Sequence, residues 1–244
     1  MNGKIIAVVQ ARMGSKRFPG KTMEQLGRYR ILEWVLRRTS RATTIDQVVL
    51  VTSSAPQNQV LCELAAGLSI PALKGSEDDV LSRFTCAVQE FRADYVVRIC
   101  ADNPFIAPEE IDRLTNFYMT TLPDYAFNHI PKLGNMYPDG LGAEMVSPDV
   151  LSRVATSATE VRHREHVTLY LWEHQQDFRI ETFQAPPEIR FPEVKLDIDT
   201  PADLDRLRAI VDRLEIDSTA VDVVRSYRAT FNTERKPGKD NPVS

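Results

Sequence analysis

Short apolar runs alternate with amphipathic stretches through the first half of this chain, and that alternation narrows the possible folds more than any other feature. Lys4-Ile-Ile-Ala-Val-Val-Gln10, Val48-Val-Leu-Val-Thr52 and Tyr95-Val-Val-Arg-Ile-Cys100 read as buried strands, with a shorter one near Ala72-Leu-Lys74. Between them, Ile31 to Ala42 carries an apolar stripe (Ile31, Leu32, Val35, Leu36) at helical spacing, and Gln57 to Leu68 reads as a helix ended by Gly67. Ser76 is the expected cap of a helix from about Asp78 to Phe91, with Glu77, Asp78 and Asp79 placed to complement its dipole. Pro108-Glu-Glu opens another. Strands that alternate with helices form a parallel sheet covered on both faces, so the expected class is α/β.

The pattern changes after Leu122. Tyr125 to Pro138 is rich in Asn, Pro and Gly; Ala143 to Ser147 reads as a strand and His163 to His174 as a helix. Phe178 to Phe183 alternates as a half-exposed strand should. Residues 123 to 190 are therefore read as a small lobe inserted in a single domain spanning 1 to 232. Val194 to Asp199 returns as a last strand of the main sheet, followed by a helix from Thr200-Pro-Ala-Asp203 to about Leu214. The polar stretch Thr233 to Ser244, with two prolines, is expected to be a disordered tail. A chain of 244 residues with 43% hydrophobic content suits one such domain. Its net charge of −4 gives no global attraction to nucleic acid or an anionic membrane. Neither a signal peptide nor an apolar run of membrane-spanning length is seen, so a cytoplasmic protein is expected. Cys62, Cys86 and Cys100 are widely spaced within apolar patterns, which favours reduced, buried thiols over disulfides or a metal knuckle.

The first strand empties into Gln10-Ala-Arg-Met-Gly-Ser-Lys-Arg-Phe-Pro-Gly-Lys21, a loop with two glycines and four cations: Arg12, Lys16, Arg17 and Lys21. Gly14 and Gly20 allow backbone N–H groups to approach an anion, and arginine forks with a lysine point charge suit phosphate oxygens. The loop matches neither a Walker A sequence nor Gly-x-Gly-x-x-Gly, so ATPase and dinucleotide readings lose their main support. Parallel sheets bind ligands at the carboxyl ends of their strands. Two further features fall there, Asp102 in Ala101-Asp-Asn-Pro104 and Asp199 in Asp197-Ile-Asp-Thr-Pro201. Carboxylates from two strand ends beside a cationic loop are what Mg²⁺ recruitment to a triphosphate needs, with Asp197 a secondary candidate on the same strand face.

Arg12-x-Gly-Ser-x-Arg17-x-Pro-Gly-Lys21, Asp102-x-Pro and Asp199-Thr-Pro-x-Asp-Leu204 together resemble the cytidylyltransferases that activate acidic sugars, such as the 3-deoxy-manno-octulosonate and acylneuraminate enzymes. Gly75-Ser-Glu-Asp-Asp-Val-Leu-x-Arg83, Tyr137-Pro-x-Gly140 with Glu144, and Arg164-Glu-His-Val-Thr168 are similar to the branch named after spore-coat polysaccharide biosynthesis protein F. The likeness runs from about residue 4 to 212. It departs at Ala101, where the family usually has glycine before its metal aspartate, and at Gly142, where the branch often has an acidic residue.

The resemblance implies a Rossmann-like fold of the nucleotide-diphospho-sugar transferase type, and Mg²⁺-dependent transfer of CMP from CTP to a sugar acid, with pyrophosphate released. Arg12, Lys21 and Asp102 would be catalytic; Ala11, Gly14, Ser15, Arg17, Thr52 and Arg83 would join Arg12 and Lys21 in binding the nucleotide. Asp102, Asp199 and Asp197 would hold the metal. The acceptor would meet Asn128, Tyr137, Asp139 and Glu144, whose chemistry suits sugar hydroxyls. An excess of apolar residues over 163–174 suits pairing of two subunits through the lobe, and His166 is read as structural or as part of that pairing face. Three other readings stay open. One is a nucleotidylyltransferase using a sugar phosphate or polyol phosphate, another a non-catalytic nucleotide-binding protein, and the third a glycosyltransferase with Asp197-x-Asp199 as its metal site.

Overall fold

The structure is a computed structural model and describes residues 3–231; the stretch expected to be a disordered tail lies outside the described residues. β1 (Ile5–Gln10) is followed by β2 (Gln25–Leu26), β3 (Tyr29–Arg30), α1 (Ile31–Thr39), β4 (Gln47–Ser53) and α2 (Gln59–Gly67). Next come β5 (Ala72–Gly75), α3 (Val80–Phe91), β6 (Tyr95–Cys100), α4 (Pro108–Thr121), β7 (Tyr125–Phe127) and β8 (Glu144–Val146). The remainder is α5 (Pro148–Ser157), α6 (Val161–Glu165), α7 (Leu169–Glu173), β9 (Ile180–Glu181), α8 (Pro201–Val211) and α9 (Ala220–Phe231).

Seven strands form one sheet in the order β5-β4-β1-β6-β8-β7-β9. β5, β4, β1 and β6 are parallel, as are β7 and β9, and only β8 runs against its neighbours. Side chains alternate along β1: Ala7 and Val9 pack with Leu36 of α1, Leu61 of α2 and Leu114 of α4, while Ile6 and Val8 pack with Phe84 of α3 and Leu151 of α5. Helices therefore cover both faces, as the alternation of the sequence requires. A third cluster gathers Trp34, Phe105, Leu196 and Ile198 under α8 and α9. Strands β7, β8 and β9, all from residues 123–190, extend the main sheet.

Several expectations need correction. Val194 to Asp199 is no strand of the sheet; it makes one parallel bridge, Asp139 to Lys195, and Ile198 N–H donates to Asp102 O at 2.9 Å. It pairs with loops instead of a ladder, and so brings Asp199 in beside the turn that follows β6. The helix expected over 163–174 breaks into α6 and α7 because Thr168 turns inward, donating its hydroxyl to the buried Glu144 carboxylate at 2.8 Å. The strand expected over 178–183 shrinks to β9. Asp79, not Ser76, caps α3 by accepting from Ser82 N–H at 2.8 Å; Ser76 Oγ accepts from Asp79 N–H in the turn before. The three cysteines are free, but Cys86 is exposed on α3, and Cys62 and Cys100 are half-buried. Gly142 has no room for an acidic side chain, since a Cβ there would lie 2.3 Å from the Asn128 backbone oxygen. Among the described residues no helix is long and apolar enough to cross a membrane.

Candidate active site

The basic loop after β1 is closed by Gly20, whose N–H donates to Met13 O at 2.9 Å. Gly20 has φ of 75°, a left-handed conformation that glycine takes without steric cost. Met13 N–H in turn donates to the buried Asn58 Oδ1 at 2.8 Å, tying the loop to the segment before α2. The chain then makes a single 3₁₀ turn that points Lys21 inward.

Lys21 Nζ donates to Asp102 Oδ2 at 2.8 Å, to Ile198 O at 2.7 Å and to Asp199 Oδ1 at 3.3 Å. Three distant parts of the sequence thus meet on the ammonium of a lysine that is only 9% exposed. Arg17, largely exposed, pairs with Asp199 Oδ1 at 2.7 Å. Asp199 has no capping duty, because Thr200 caps α8 in a reciprocal capping box with Asp203. Its carboxylate is left for the site.

Two further carboxylates stand near this cluster. Burial, with Asp197, Asp102 and Asp199 close by, pushes the Asp139 carboxyl up to about 7 despite Lys195. Burial also raises Asp197, which pairs with Lys195 at 3.3 Å and leaves its other oxygen, Oδ1, buried without a partner. Negative charge here exceeds what Lys21, Arg17 and Lys195 balance.

A cavity of about 220 Å³ opens above the loop. Gln10, Ala11, Arg12, Ser15, Arg17, Lys21 and Thr22 line it with Cys100, Ala101, Asp102 and Asp199; Val80 and Arg83 of α3, Glu165 at the end of α6 and His166 just after it complete the lining. Arg12 is engaged by Glu165, Nη2 to Oε1 at 2.6 Å, with Glu77 4.0 Å away. Arg83 is 2% exposed, yet its Nε and Nη1 have no partner, and burial lowers its pKa. Its stem lies over Gly75, where a Cβ would come within 2.8 Å of Arg83 Cγ. Unpartnered N–H groups on a buried guanidinium are costly, and these belong to a side chain that lines the cavity.

The structure brings together most of the expected nucleotide and metal residues: Ala11, Arg12, Ser15, Arg17, Lys21, Arg83, Asp102 and Asp199. Gly14 flanks the loop facing Glu77 and does not line the cavity. Thr52, at the end of β4, is fully buried with Oγ1 unpartnered. Three expected acceptor residues lie inside the protein. Asn128 holds Glu110 O and Ala143 N–H, Tyr137 donates to Glu110 Oε2 at 2.7 Å, and Glu144 binds Arg98, Tyr125 and Thr168. Their polar groups serve the fold. Only Asp139 of that set remains beside the aspartate cluster. Gln10, Glu165 and His166 line the cavity without having been expected there. The Arg164-Glu-His motif was the only signal for the last two, since its spacing says nothing of where His166 points.

A cationic loop after β1, a carboxylate after β6 and a second brought beside them by a crossing loop make the kind of site found in a nucleotidyltransferase. The chain belongs to the cytidylyltransferase family, whose pattern matches residues 6–225. It is 33% identical over 200 residues to the uncharacterized protein MJ1063 of Methanocaldococcus jannaschii, covering 82% of this chain and 80% of that one. Spore coat polysaccharide biosynthesis protein SpsF of Bacillus subtilis is 30% identical over 211 residues, covering 84% and 85% respectively. A 3-deoxy-manno-octulosonate cytidylyltransferase of Bdellovibrio bacteriovorus is 27% identical over 116 residues, 48% of this chain and 46% of that one. Among solved structures, a cytidylyltransferase from Leptospira borgpetersenii superposes with a TM-score of 0.85 at 24% identity, over 93% of this chain and 95% of that one.

Proposed function

We propose that this cytidylyltransferase moves CMP from CTP to a sugar acid of the 3-deoxy-2-keto type, in the cytoplasm and on the way to a surface polysaccharide or glycan. The acceptor hydroxyl oxygen bonds to the α-phosphorus, the bond from that phosphorus to the β-bridging oxygen breaks, and pyrophosphate leaves as the hydroxyl loses its proton. The observation that carries this reading is the meeting of Asp102, Asp199 and Lys21 Nζ within 3.3 Å at one edge of the cavity. Such transfer needs in-line positioning and charge neutralisation more than covalent chemistry. Lys21 and Arg12 would hold the triphosphate, and the unpaired N–H groups of Arg83, on the helix that packs over the Thr52 strand, would read base and ribose.

The hard oxygens of Asp102 and Asp199, with Asp197 behind them, fit Mg²⁺, and the surplus carboxylate charge around Asp139 and the unpartnered Asp197 Oδ1 favour a divalent cation. Among the described residues no three His, Cys, Asp or Glu side chains are set to hold an ion alone, so phosphate oxygens and water would complete its shell. A bound Mg²⁺ supplies charge neutralisation at the phosphate oxygens. Pairing of two copies through residues 123–190 belongs to the same reading, supported by the exposed side chains of Leu133, Met136 and Val161.

Pyrophosphate release with each of the four nucleoside triphosphates, Mg²⁺ and a panel of 3-deoxy-2-keto sugar acids tests the proposal. CTP is expected to be used with an acid. Turnover only with another nucleotide, or only with a sugar phosphate or polyol phosphate, would replace this reading by its nearest rival.

The Arg12–Glu165 pair makes a further prediction, because a triphosphate must displace that carboxylate to reach Arg12. The pair is partly exposed, so its loss is worth little, and Glu165→Gln is expected to tighten CTP binding about 2- to 5-fold by calorimetry. Weaker CTP binding in the variant would mean that Glu165 aims Arg12 at the nucleotide instead.

A further inference from the structure

The register of the sheet sets an unusual row of polar groups beneath the cavity. Val8 of β1 pairs with Arg98 of β6, and Arg98 pairs with Glu144 of β8. Gln10, two residues beyond Val8, therefore points to the same face as Arg98 and Glu144. On that face Arg98 bonds Glu144 and also donates Nε–H to Gln10 Oε1 at 3.1 Å. Glu144 is 2% exposed and is held further by the Tyr125 hydroxyl at 2.5 Å and by Thr168 at 2.8 Å. The arrangement is rigid because each member is fixed by another.

Its consequence falls on Gln10, which lines the cavity. Arginine has only donors, so the Gln10 atom facing Arg98 must be the carbonyl oxygen. The NH₂ end is then turned away from Arg98, and among the described residues no protein acceptor engages it. A carboxamide whose oxygen is bound to a guanidinium is polarised into a stronger donor. Gln10 leans toward β6, where it meets Arg98, whereas Arg83 stands on α3, which packs over β5, β4 and β1. In-line attack sets the acceptor oxygen opposite the leaving pyrophosphate across the α-phosphorus, so the acceptor needs a hold apart from the cations that take the triphosphate.

We infer that Gln10 is a specificity residue for the acceptor, donating its fixed carboxamide N–H groups to the carboxylate of the sugar acid, with Arg98 and Glu144 as the groups that hold it in place. This rests on the transferase reading above and names the residue that makes an acid the preferred partner. A neutral donor backed by a partly buried cation suits a carboxylate better than the phosphate of a sugar phosphate, which the loop cations would take.

Gln10→Met removes the donors, and Gln10→Glu keeps the contact with Arg98 while presenting negative charge to the acid. Wild type and both variants would be compared in CTP, Mg²⁺ and whichever 3-deoxy-2-keto sugar acid the wild type uses, with CTP affinity read separately by calorimetry. The expected result is an acceptor KM raised at least ~10-fold in Gln10→Met, and more in Gln10→Glu, with CTP affinity changed by less than about 2-fold. Unfolding temperatures near wild type, expected most firmly for the isosteric Gln10→Glu, show that the fold is kept. An unchanged acceptor KM, or a loss that falls on CTP affinity, overturns the assignment of Gln10 and leaves the transferase reading standing. A wild-type chain that turns over none of the acids removes both together.

Discussion

Lys21→Met is expected to lower kcat/KM for CTP by about 10³-fold or more, the scale of losing one preorganised charge-stabilising group at a transferring phosphoryl centre. Methionine keeps most of the unbranched stem and its packing, so the substitution removes mainly the ammonium. Among the described residues, that ammonium is the one side-chain group that donates to both Asp102 and Asp199. Without it the two carboxylates face a triphosphate across the same edge of the cavity, with only the largely exposed Arg17 left on Asp199. The effect should fall on kcat as well as on KM, because charge on the transferring phosphoryl group is redistributed in the transition state. A stability cost of about 1–3 kcal/mol is also expected, since Ile198 O loses its buried donor. Steady-state pyrophosphate release, with a thermal melt on the same samples, separates the two effects. A folded variant working within about 10-fold of wild type would show that Lys21 is a structural ion and would remove the centre of the site.

Why these residues could be found in the sequence, and others could not, has a physical answer. β1 and the loop after it are legible because a buried apolar run followed by glycines and cations has few other uses. Asp102 and Asp199 are legible from position, each standing just after an apolar segment and before a proline. Asp199 does stand beside Lys21, although the segment before it crosses loops and never joins the sheet. The burial of Asn128, Tyr137 and Glu144 is not legible, because polarity does not reveal whether a side chain will find its partners inside. Asn128 bridges backbone groups of Glu110 and Ala143, and Glu144 answers Arg98 across a register that no local pattern displays. The break between α6 and α7 has the same cause, Thr168 bonding a carboxylate 24 positions away. Glu165 and His166, at the end of α6 where the chain breaks, line the cavity. Long-range pairing decided each case, and local periodicity carries no record of it.

The two aspartates give the second large effect. Asp102→Asn and Asp199→Asn are each expected to cut kcat by about 10²–10³-fold or more, as for loss of a group that fixes charge in the transition state. Asparagine can still accept a hydrogen bond from Lys21, so the fold and the placement of the ammonium should survive, and unfolding temperatures should move little. What changes is the charge available to a divalent cation. The concentration of Mg²⁺ needed for half-maximal rate is therefore expected to rise in both variants, a shift that a purely structural aspartate would not produce. Asp199→Asn should show the wider disturbance, because Asp199 also holds Arg17 at 2.7 Å. CTP binding measured without metal should weaken little or even tighten, as negative charge has been removed beside the triphosphate. That split, binding kept and turnover lost, separates an enzyme from a protein that only senses nucleotide. Near-normal rates in both variants would leave the sensing reading in possession of the site, whatever the cavity binds.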